Sequence, residues 1–199
     1  MPSSGKTTII RALDKYFRHN GWCVLPPQEG AQAIRHIPHH TALDQYNIRT
    51  ALYSIQKIMD ESHTHTHDIL LLDRGIFDAS CWVEYLHQHN LLTDSEKNVL
   101  NLFYLLPCFT QKIDCALIVI CDPDVAFERV KAMQVSNDMG FTNPRSLQSL
   151  YEQSCELYER YHHAYPQLQL LDTTSLKPRE MVQRAADIVL STLPRNIKK

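Results

Sequence analysis

The sequence of 199 residues lacks three features that would each assign a class: a strong excess of one charge, a C-x-x-C pair and a long apolar run. Its formal net charge of −2 gives no support to a nucleic-acid-coating surface, so any phosphate binding must come from local groups. No apolar run approaches the roughly 20 residues of a membrane span, and no signal peptide is recognisable. The six cysteines indicate buried, reduced thiols rather than a disulfide framework or zinc site. We therefore expect a cytoplasmic protein without nucleic-acid or membrane partners.

The chain also lacks internal repeats and any segment that looks like a linker between domains. At 199 residues with 44% hydrophobic content, it is most simply a single domain with a sizeable core. Helical and strand-like stretches alternate along its length, a pattern typical of a parallel sheet flanked by helices. The sequence therefore predicts an α/β fold.

The first eight residues, MPSSGKTT, match the second half of the P-loop pattern G-x-x-x-x-G-K-[S/T]. In such a loop backbone N–H groups cradle phosphates at the start of a helix. Gly5 would allow close approach of the backbone, Lys6 would reach the outer phosphates, and the Thr7 hydroxyl would bind Mg²⁺. The alternative is an ordinary polar N-terminus, but the amphipathic helical pattern that follows favours the P-loop. The predicted ATP-binding residues are Ser3, Ser4, Gly5, Lys6, Thr7 and Thr8.

The first glycine of the pattern would come immediately before Met1, and the strand that delivers the loop would come before that glycine. We therefore expect that the P-loop strand is missing from this sequence and that Met1 is an internal residue of the loop. A chain without that strand would leave neighbouring strands unpaired, so we expect poor stability or aggregation.

Hydrophobic patterning and breaker residues give approximate bounds for the other elements. Strands are predicted over 22–25, 68–73, 115–121 and 168–171, the first stopped by Pro26 and Pro27. Residues 28–41 resemble a loop. Helices are predicted over 43–59, 78–89, 94–106 and 178–193, and two more begin at Pro123 and Pro144. A capping box is predicted at Thr93 to Glu96.

A second cluster of polar residues, the DRG tripeptide, follows the buried strand over 68–73. Ligands of open α/β sheets bind at the carboxyl ends of the strands. Asp73 could act as a base or bind Mg²⁺, and Arg74 could contact a phosphate or sugar hydroxyl. The alternative is a buried ion pair. Asp78 is expected to cap the next helix.

The alternating histidines of HTHTH, residues 63–67, could chelate a metal if they lay in a strand. They also suit a solvated turn between a helix and the next strand. We favour the turn.

The order of these motifs resembles the thymidylate kinase and deoxynucleoside kinase branch of P-loop kinases. It includes Glu29-Gly30 after the strand over 22–25, which is the second strand if the missing P-loop strand is counted, then ICDPDVAFERV and the C-terminal LLDTTSLKPREMVQRAADIV. The resemblance covers nearly the whole chain. It implies a three-layer P-loop NTPase fold and phosphoryl transfer from ATP, with Mg²⁺, to a nucleoside, a nucleotide or a similar small molecule.

The resemblance also implies roles for individual residues. A lid over about 129–145 would supply Arg129, Lys131 and Arg145, a sparse set that predicts slower chemistry or another acceptor. Arg129 could instead be a solvated helix charge. Glu29 would act on the acceptor hydroxyl and Gln56 would read the base. The 172–174 segment, DTT, would lie near the adenine or form a helix-start turn.

The sequence therefore predicts a nucleoside or nucleotide kinase, and a homodimer is compatible with it. The alternatives are a nucleotide-dependent ATPase or switch that acts through a partner, and an inactive truncated form. The predicted catalytic residues are Lys6, Asp73, Arg74 and Arg129. The predicted substrate-binding residues are Glu29, Arg74 and Gln56, and the predicted Mg²⁺ ligands are Thr7 and Asp73.

Overall fold

The computed structural model describes residues 1–33, 43–132 and 141–193. The chain divides into two compact units, and the division falls inside the first helix. The phosphate-loop unit comprises Met1–Ile9 and Asp114–Lys199, and the middle unit comprises Ile10–Ile113. None of the helices in the described ranges is long and apolar enough to cross a membrane.

The middle unit holds most of helix α1 and the next seven elements. In chain order these are α1 (Lys6–His19), β1 (Val24–Glu29), α2 (Gly30–Ala33), α3 (Leu43–Thr64), β2 (Ile69–Asp73), α4 (Ile76–Gln88), α5 (Asp94–Tyr104) and α6 (Pro107–Thr110). The phosphate-loop unit continues with β3 (Ala116–Ile120), α7 (Pro123–Ala132), α8 (Pro144–Tyr161), β4 (Leu168–Asp172) and α9 (Pro178–Thr192).

Each unit contains a two-stranded parallel sheet. In the middle unit β1 pairs with β2, from Val24 opposite Ile69 to Glu29 opposite Asp73. In the phosphate-loop unit β3 pairs with β4 in an unbroken register that ends with Ile120 opposite Asp172. Since helical segments join the parallel strands, the structure confirms the predicted α/β class. The strand expected before Met1 lies outside this sequence and stays a prediction.

Strand β1 contradicts the predicted stop at the proline pair. It runs to Glu29 through Pro26 and Pro27 instead of ending at Leu25. Proline cannot donate a ladder hydrogen bond, and the register shifts here: three steps from Leu25 to Gln28 face two steps of β2. The predicted loop was therefore wrong over residues 28–33, which complete β1 and form α2. The rest of that predicted loop, residues 34–41, lies outside the described residues.

The predicted starts of α5 and α8 agree with the structure because their signals are local. Thr93 caps α5 in a capping box, with its Oγ1 accepting from Glu96 N at 3.3 Å and its N–H donating to Glu96 Oε2 at 2.8 Å. Asn143 Oδ1 accepts from Ser146 N at 2.9 Å at the start of α8. Sequence analysis missed the short helix α6.

Each unit buries its own apolar side chains. In the middle unit Phe17, Val24, Ile76, Val83, Leu86 and Tyr104 are almost completely buried. In the phosphate-loop unit the corresponding residues are Cys121, Ala126, Leu147, Leu150, Leu168 and Ala185. All six cysteines are free thiols, as expected, but only Cys81 and Cys121 are buried, and Cys23 and Cys108 are exposed.

The alternating histidines lie at the end of α3, which extends five residues beyond its predicted end. Regular structure stops after Thr64, and His65 turns the chain with φ 47°. His67 Nδ1 lies 3.1 Å from Glu61 Oε2. Within the described ranges, no cluster of three or more histidine, cysteine, aspartate or glutamate side chains could hold a metal ion. The turn interpretation therefore agrees with the structure.

Candidate functional site

The P-loop motif adopts an anion-binding backbone conformation. Ser3 and Gly5 have positive φ angles of 54° and 95°, and α1 begins directly afterwards at Lys6. Alternation of left- and right-handed residues directs successive N–H groups towards the same concavity, which binds anions. The positive end of α1 adds to this preference for negative charge. The local geometry therefore suits a phosphate group.

Gly5 suits this position because of its backbone conformation and because of a neighbouring side chain. Its φ of 95° is strained for any residue with a side chain. In addition, a Cβ atom at this position would lie 2.6 Å from Met181 Sδ of helix α9, which is closer than van der Waals contact allows. A side chain at position 5 would therefore force the flexible Met181 side chain to move.

Lys6 and Ser4 both donate hydrogen bonds to the main-chain carbonyl of Met1. The Ser4 Oγ bond measures 3.0 Å, and Lys6 Nζ is the second donor. The side chain of Met1 is itself buried against Cys121 and Leu147. The first residue of the loop is therefore anchored, and the Lys6 ammonium lies against the loop that it would serve. Burial raises the pKa of the Cys121 thiol, so this cysteine is neutral at pH 7.

Thr7 and Thr8 are exposed in the first turn of α1. No hydrogen bond within the described ranges uses the Thr7 hydroxyl, which leaves its oxygen available as a ligand. Mg²⁺ prefers oxygen ligands and is usually held by one or two side chains together with phosphate oxygens. In the described part of the chain, no cluster of three or more histidine, cysteine, aspartate or glutamate side chains accompanies this hydroxyl.

Arg129 of helix α7 lies behind the phosphate loop. Its Nη2 donates to the Thr173 carbonyl at 2.8 Å, and its Nη1 donates to Thr173 Oγ1 at 3.2 Å and to the Ser3 carbonyl at 3.5 Å. The alternative that Arg129 is a solvated helix charge is therefore wrong. The guanidinium group joins the loop to the segment after β4.

Thr173 is the residue on which these contacts converge, and sequence analysis did not single it out. It is fully buried, and its Oγ1 lies 2.9 Å from the carbonyl oxygens of both Ser4 and Ile120. The neighbouring Thr174 has other partners, Asp172 and Asp122. Helix α9 begins only at Pro178, so these residues form a turn that ends β4 rather than the start of the helix.

The second candidate site lies in the middle unit at the carboxyl ends of β1 and β2. Asp73 is the last residue of β2, is buried, and pairs in register with Glu29, the last residue of β1. Because the two strands are parallel, the two acidic residues lie at the same edge of this sheet. The structure thus brings together two residues that were predicted separately.

Arg74 follows with φ 75°, a left-handed conformation that is unfavourable for a residue with a long side chain. Its Nη1 lies 3.3 Å from Asp78 Oδ2, and Ser54 Oγ lies 3.4 Å from its carbonyl oxygen. The prediction that Asp78 caps α4 was wrong, since Gly75 occupies the cap without a side-chain hydrogen bond. Asp78 holds the Arg74 guanidinium instead. Backbone strain of this kind occurs frequently at functional sites.

Gln56 lies on helix α3 with its side chain exposed. Ser54, two residues earlier, is buried and reaches Arg74. Two residues along a helix correspond to a rotation of about 200°, so Gln56 points away from Arg74. Ser54 of α3 contacts this turn, and the role of Gln56 stays a prediction.

The lid predicted over residues 129–145 falls partly outside the described residues, which omit 133–140. Within the described part, Lys131 pairs with Glu128 at 2.7 Å on the surface, and Arg145 is exposed in the first turn of α8. A lid function for these residues stays a prediction.

Comparison with known proteins gives matches among solved structures alone, since no family model and no curated protein matches the sequence. Deoxyadenosine kinase from M. mycoides with bound dCTP superposes with a TM-score of 0.63 at 12% identity, over 96% of both chains. The same enzyme with the products dCMP and a flexible dCDP gives 0.67 at 11% identity, again over 96% of both chains. Its dATP-bound form gives 0.67 at 12% identity over 94% of both chains.

The chain has the fold of a deoxyadenosine kinase. This confirms the fold that the order of the P-loop and the DRG tripeptide indicated. At 11–12% identity the likeness to deoxyadenosine kinase is one of fold, and the chemistry has to be argued from the residues of this chain.

Proposed function

We propose that this protein is an ATP- and Mg²⁺-dependent kinase that phosphorylates a nucleoside, with a deoxynucleoside as the preferred candidate. The observation that carries the proposal is the left-handed pair Ser3 and Gly5 directly before Lys6 and a helix N-terminus. This arrangement suits phosphates and occurs here in a fold shared with deoxyadenosine kinase. The nucleotides bound in that enzyme, dCTP and dATP, support the choice of acceptor class.

The donor nucleotide is assigned to the phosphate-loop unit. The N–H groups of the loop hold the inner phosphates, and Lys6 leaves the Met1 carbonyl to neutralise the outer ones. Thr7 supplies a hydroxyl ligand for Mg²⁺. Bound Mg²⁺ would offset the phosphate charge, and Asp73 remains a proposed metal partner.

The acceptor is assigned to the strand ends of the middle unit. Asp73 would accept the proton from the attacking hydroxyl, because a buried carboxylate can act as a general base. Glu29, which is opposite Asp73 in the strand register, is the alternative base. Arg74 would hold a sugar hydroxyl or the product phosphate with its planar guanidinium group. Its left-handed conformation and its contact with Asp78 keep that group in a defined position.

Incubation with ATP, Mg²⁺ and a panel of nucleosides and nucleotides, followed by mass spectrometry of the products, tests the proposal. We expect one or more monophosphates from deoxynucleosides, and no product from the K6A or D73N variants. The matched control is K15A, which removes an exposed lysine from the same helix as Lys6. Absence of any phosphorylated product at high enzyme concentration would contradict the kinase assignment. ATP hydrolysis that no acceptor stimulates would favour the ATPase or switch instead.

A further inference from the structure

The main-chain carbonyls of the phosphate loop are held from behind by side chains of its own unit. Thr173 Oγ1 lies 2.9 Å from the Ser4 carbonyl oxygen, and Arg129 Nη1 lies 3.5 Å from that of Ser3. Among the described residues, no other hydrogen bond ends on the Ser4 carbonyl and none starts from the N–H of Ser4 or Gly5. The Ser3 and Ser4 carbonyls are therefore held by hydrogen bonds, while the Ser4 and Gly5 N–H groups donate none within the described residues.

Because the peptide bond is planar, fixing the orientation of a carbonyl group also fixes the orientation of the N–H group of the next residue. The described peptide bonds are trans, so the N–H of each unit points opposite to its C=O. A Ser4 carbonyl held by Thr173 directs the Gly5 N–H away from Thr173. The weaker contact from Arg129 to the Ser3 carbonyl acts on the Ser4 N–H in the same way. Both amides then face the side on which the positive φ angles form the anion-binding concavity.

The hydroxyl of Thr173 is itself oriented by its neighbours. Arg129 Nη1 donates to Oγ1 at 3.2 Å, which leaves the hydroxyl hydrogen for a carbonyl oxygen. Two carbonyls are within reach, but that of Ile120 already accepts from Thr173 N at 3.0 Å. Among the described residues, the Ser4 carbonyl accepts a hydrogen bond only from the Thr173 hydroxyl. Such a chain of hydrogen bonds in a fully buried position is more rigid than its individual members.

We propose that Thr173, supported by Arg129, is a positioning residue that aims the Gly5 and Ser4 amides at the inner phosphates of the bound nucleotide. The inference rests on the proposed function, because it assumes that the loop binds a nucleoside triphosphate. It also gives Arg129 a role different from the predicted catalytic one. The guanidinium group acts on the loop and not on the transferred phosphoryl group.

The positioning role and the catalytic role of Arg129 predict different changes in the affinity for ADP. Loop amides contact the inner phosphates, which ADP and ATP share, whereas a catalytic arginine would contact the outermost phosphate of ATP. Loss of the Thr173 hydroxyl should therefore weaken ADP and ATP equally. Loss of a contact to the outermost phosphate should weaken ATP selectively.

Calorimetric titration of ATP and ADP into the wild type and the T173V, T173S and T192V variants tests the proposal. Valine keeps the volume of Thr173 and removes its hydroxyl, and we expect both affinities to fall on the order of tenfold. T173S restores the hydroxyl and should bind within about twofold of wild type. T192V is the matched control, since Thr192 is a half-buried threonine of the same unit whose hydroxyl contacts the Ile188 and Val189 carbonyls of its own helix rather than the loop. In steady-state kinetics T173V should raise the KM for ATP and leave kcat and the acceptor KM nearly unchanged.

Wild-type affinity in T173V, or weakened binding of ATP alone, would overturn the positioning role while leaving the kinase proposal intact. No nucleotide binding by the wild-type chain would refute the proposed function and this inference with it. If T173V does not melt cooperatively, R129Q replaces it, because Arg129 is only half-buried. Equal weakening of ATP and ADP in R129Q then supports the proposal, and selective weakening of ATP contradicts it.

Discussion

Thr173 and Ser4 are 169 positions apart in the sequence, yet the Thr173 hydroxyl lies 2.9 Å from the Ser4 carbonyl oxygen. Thr173 is fully buried at the end of strand β4, so this contact belongs to the interior of the phosphate-loop unit. The contact joins the first turn of the chain to its last strand. Changes at the C-terminal strand can therefore alter the loop that the first residues form.

The first prediction concerns Gly5. G5A introduces a side chain at φ 95° and places its Cβ 2.6 Å from Met181 Sδ. The left-handed strain costs about 1–2 kcal/mol, and moving the flexible Met181 side chain adds up to about 1 kcal/mol. We expect a loss of about 1–3 kcal/mol in the free energy of unfolding, measured with urea, together with loss of nucleotide binding.

Gly21 provides the matched control for that experiment. Its φ of 83° imposes similar strain, but no heavy atom lies within 4 Å of a Cβ placed there. G21A should therefore cost about 1–2 kcal/mol. Equal destabilisation of G5A and G21A would show that Met181 does not restrict the loop.

The second prediction concerns Tyr104, which is fully buried and has a hydroxyl oxygen without a hydrogen-bond partner among the described residues. Burial raises its pKa to about 12 from an ordinary value of 10. Because the folded state disfavours the ionised phenol, the contribution of neutral Tyr104 to stability is fully present below pH 10. This contribution is lost as the pH rises from 10 through 12. Y104F should remove this alkaline loss, as thermal melting across the pH range would show. At pH 7 it should leave stability unchanged or raise it by up to about 1–3 kcal/mol, because an unpaired buried hydroxyl is removed.

Y16F is the control for Tyr104, since Tyr16 is 42% exposed. It should retain the alkaline loss of the wild type. A Y104F variant with the same alkaline profile as Y16F would refute the assignment of this loss to Tyr104.

The third prediction concerns the capping box at the start of α5. Hydrogen bonds from the Thr93 backbone N–H and hydroxyl lower the pKa of Glu96 below its ordinary 4.5. A lowered pKa gives a contribution to stability that is present above pH 4.5 and is lost as the pH falls through the folded-state value. T93A should cost about 1 kcal/mol at pH 7 and weaken the pH dependence of the melting temperature below pH 4.5.

Ser95 is exposed in the same turn and serves as the control position. S95A should change neither the stability at pH 7 nor the acid profile. If T93A melts with the acid dependence of the wild type, the Glu96 interaction does not depend on Thr93.

The parts of the structure that the sequence predicted have local physical signals. The P-loop conformation depends on Gly5 and the start of α1, and the cap of α5 depends on Thr93 and Glu96, three residues apart. Hydrophobic runs marked β2 and β3 to within one residue at each end. In each case the deciding interactions connect residues close in sequence.

The errors arose where distant partners decide the local conformation. Pro26 and Pro27 are breakers by local preference, but pairing with β2 carries the strand past them with a bulge. Asp78 is of a residue type that is preferred at helix N-caps, yet the left-handed turn at Arg74 brings the Arg74 guanidinium group to the Asp78 carboxylate. Thr173 carries no local signal, because the carbonyl that it binds belongs to Ser4 at the other end of the chain.

The fourth prediction tests whether the strain at Arg74 serves function. R74G removes a side chain from φ 75°, which should recover about 1–2 kcal/mol of backbone strain. The lost ion pair with Asp78 is partly exposed and contributes at most about 1 kcal/mol. We therefore expect urea denaturation to show unchanged or increased stability. Kinase activity should fall by at least about 100-fold, because the proposed acceptor contact is lost.

His65 offers the matched comparison, since it has φ 47° in an exposed turn that carries no proposed role. H65G should relieve similar strain and leave turnover unchanged. A decrease in stability of R74G beyond that of H65G would identify Arg74 as a structural residue whose side-chain contacts outweigh its strain. Retained turnover in R74G would instead remove Arg74 from the acceptor site. Loss of turnover together with preserved stability in R74G is the result expected if the strained backbone at Arg74 serves function.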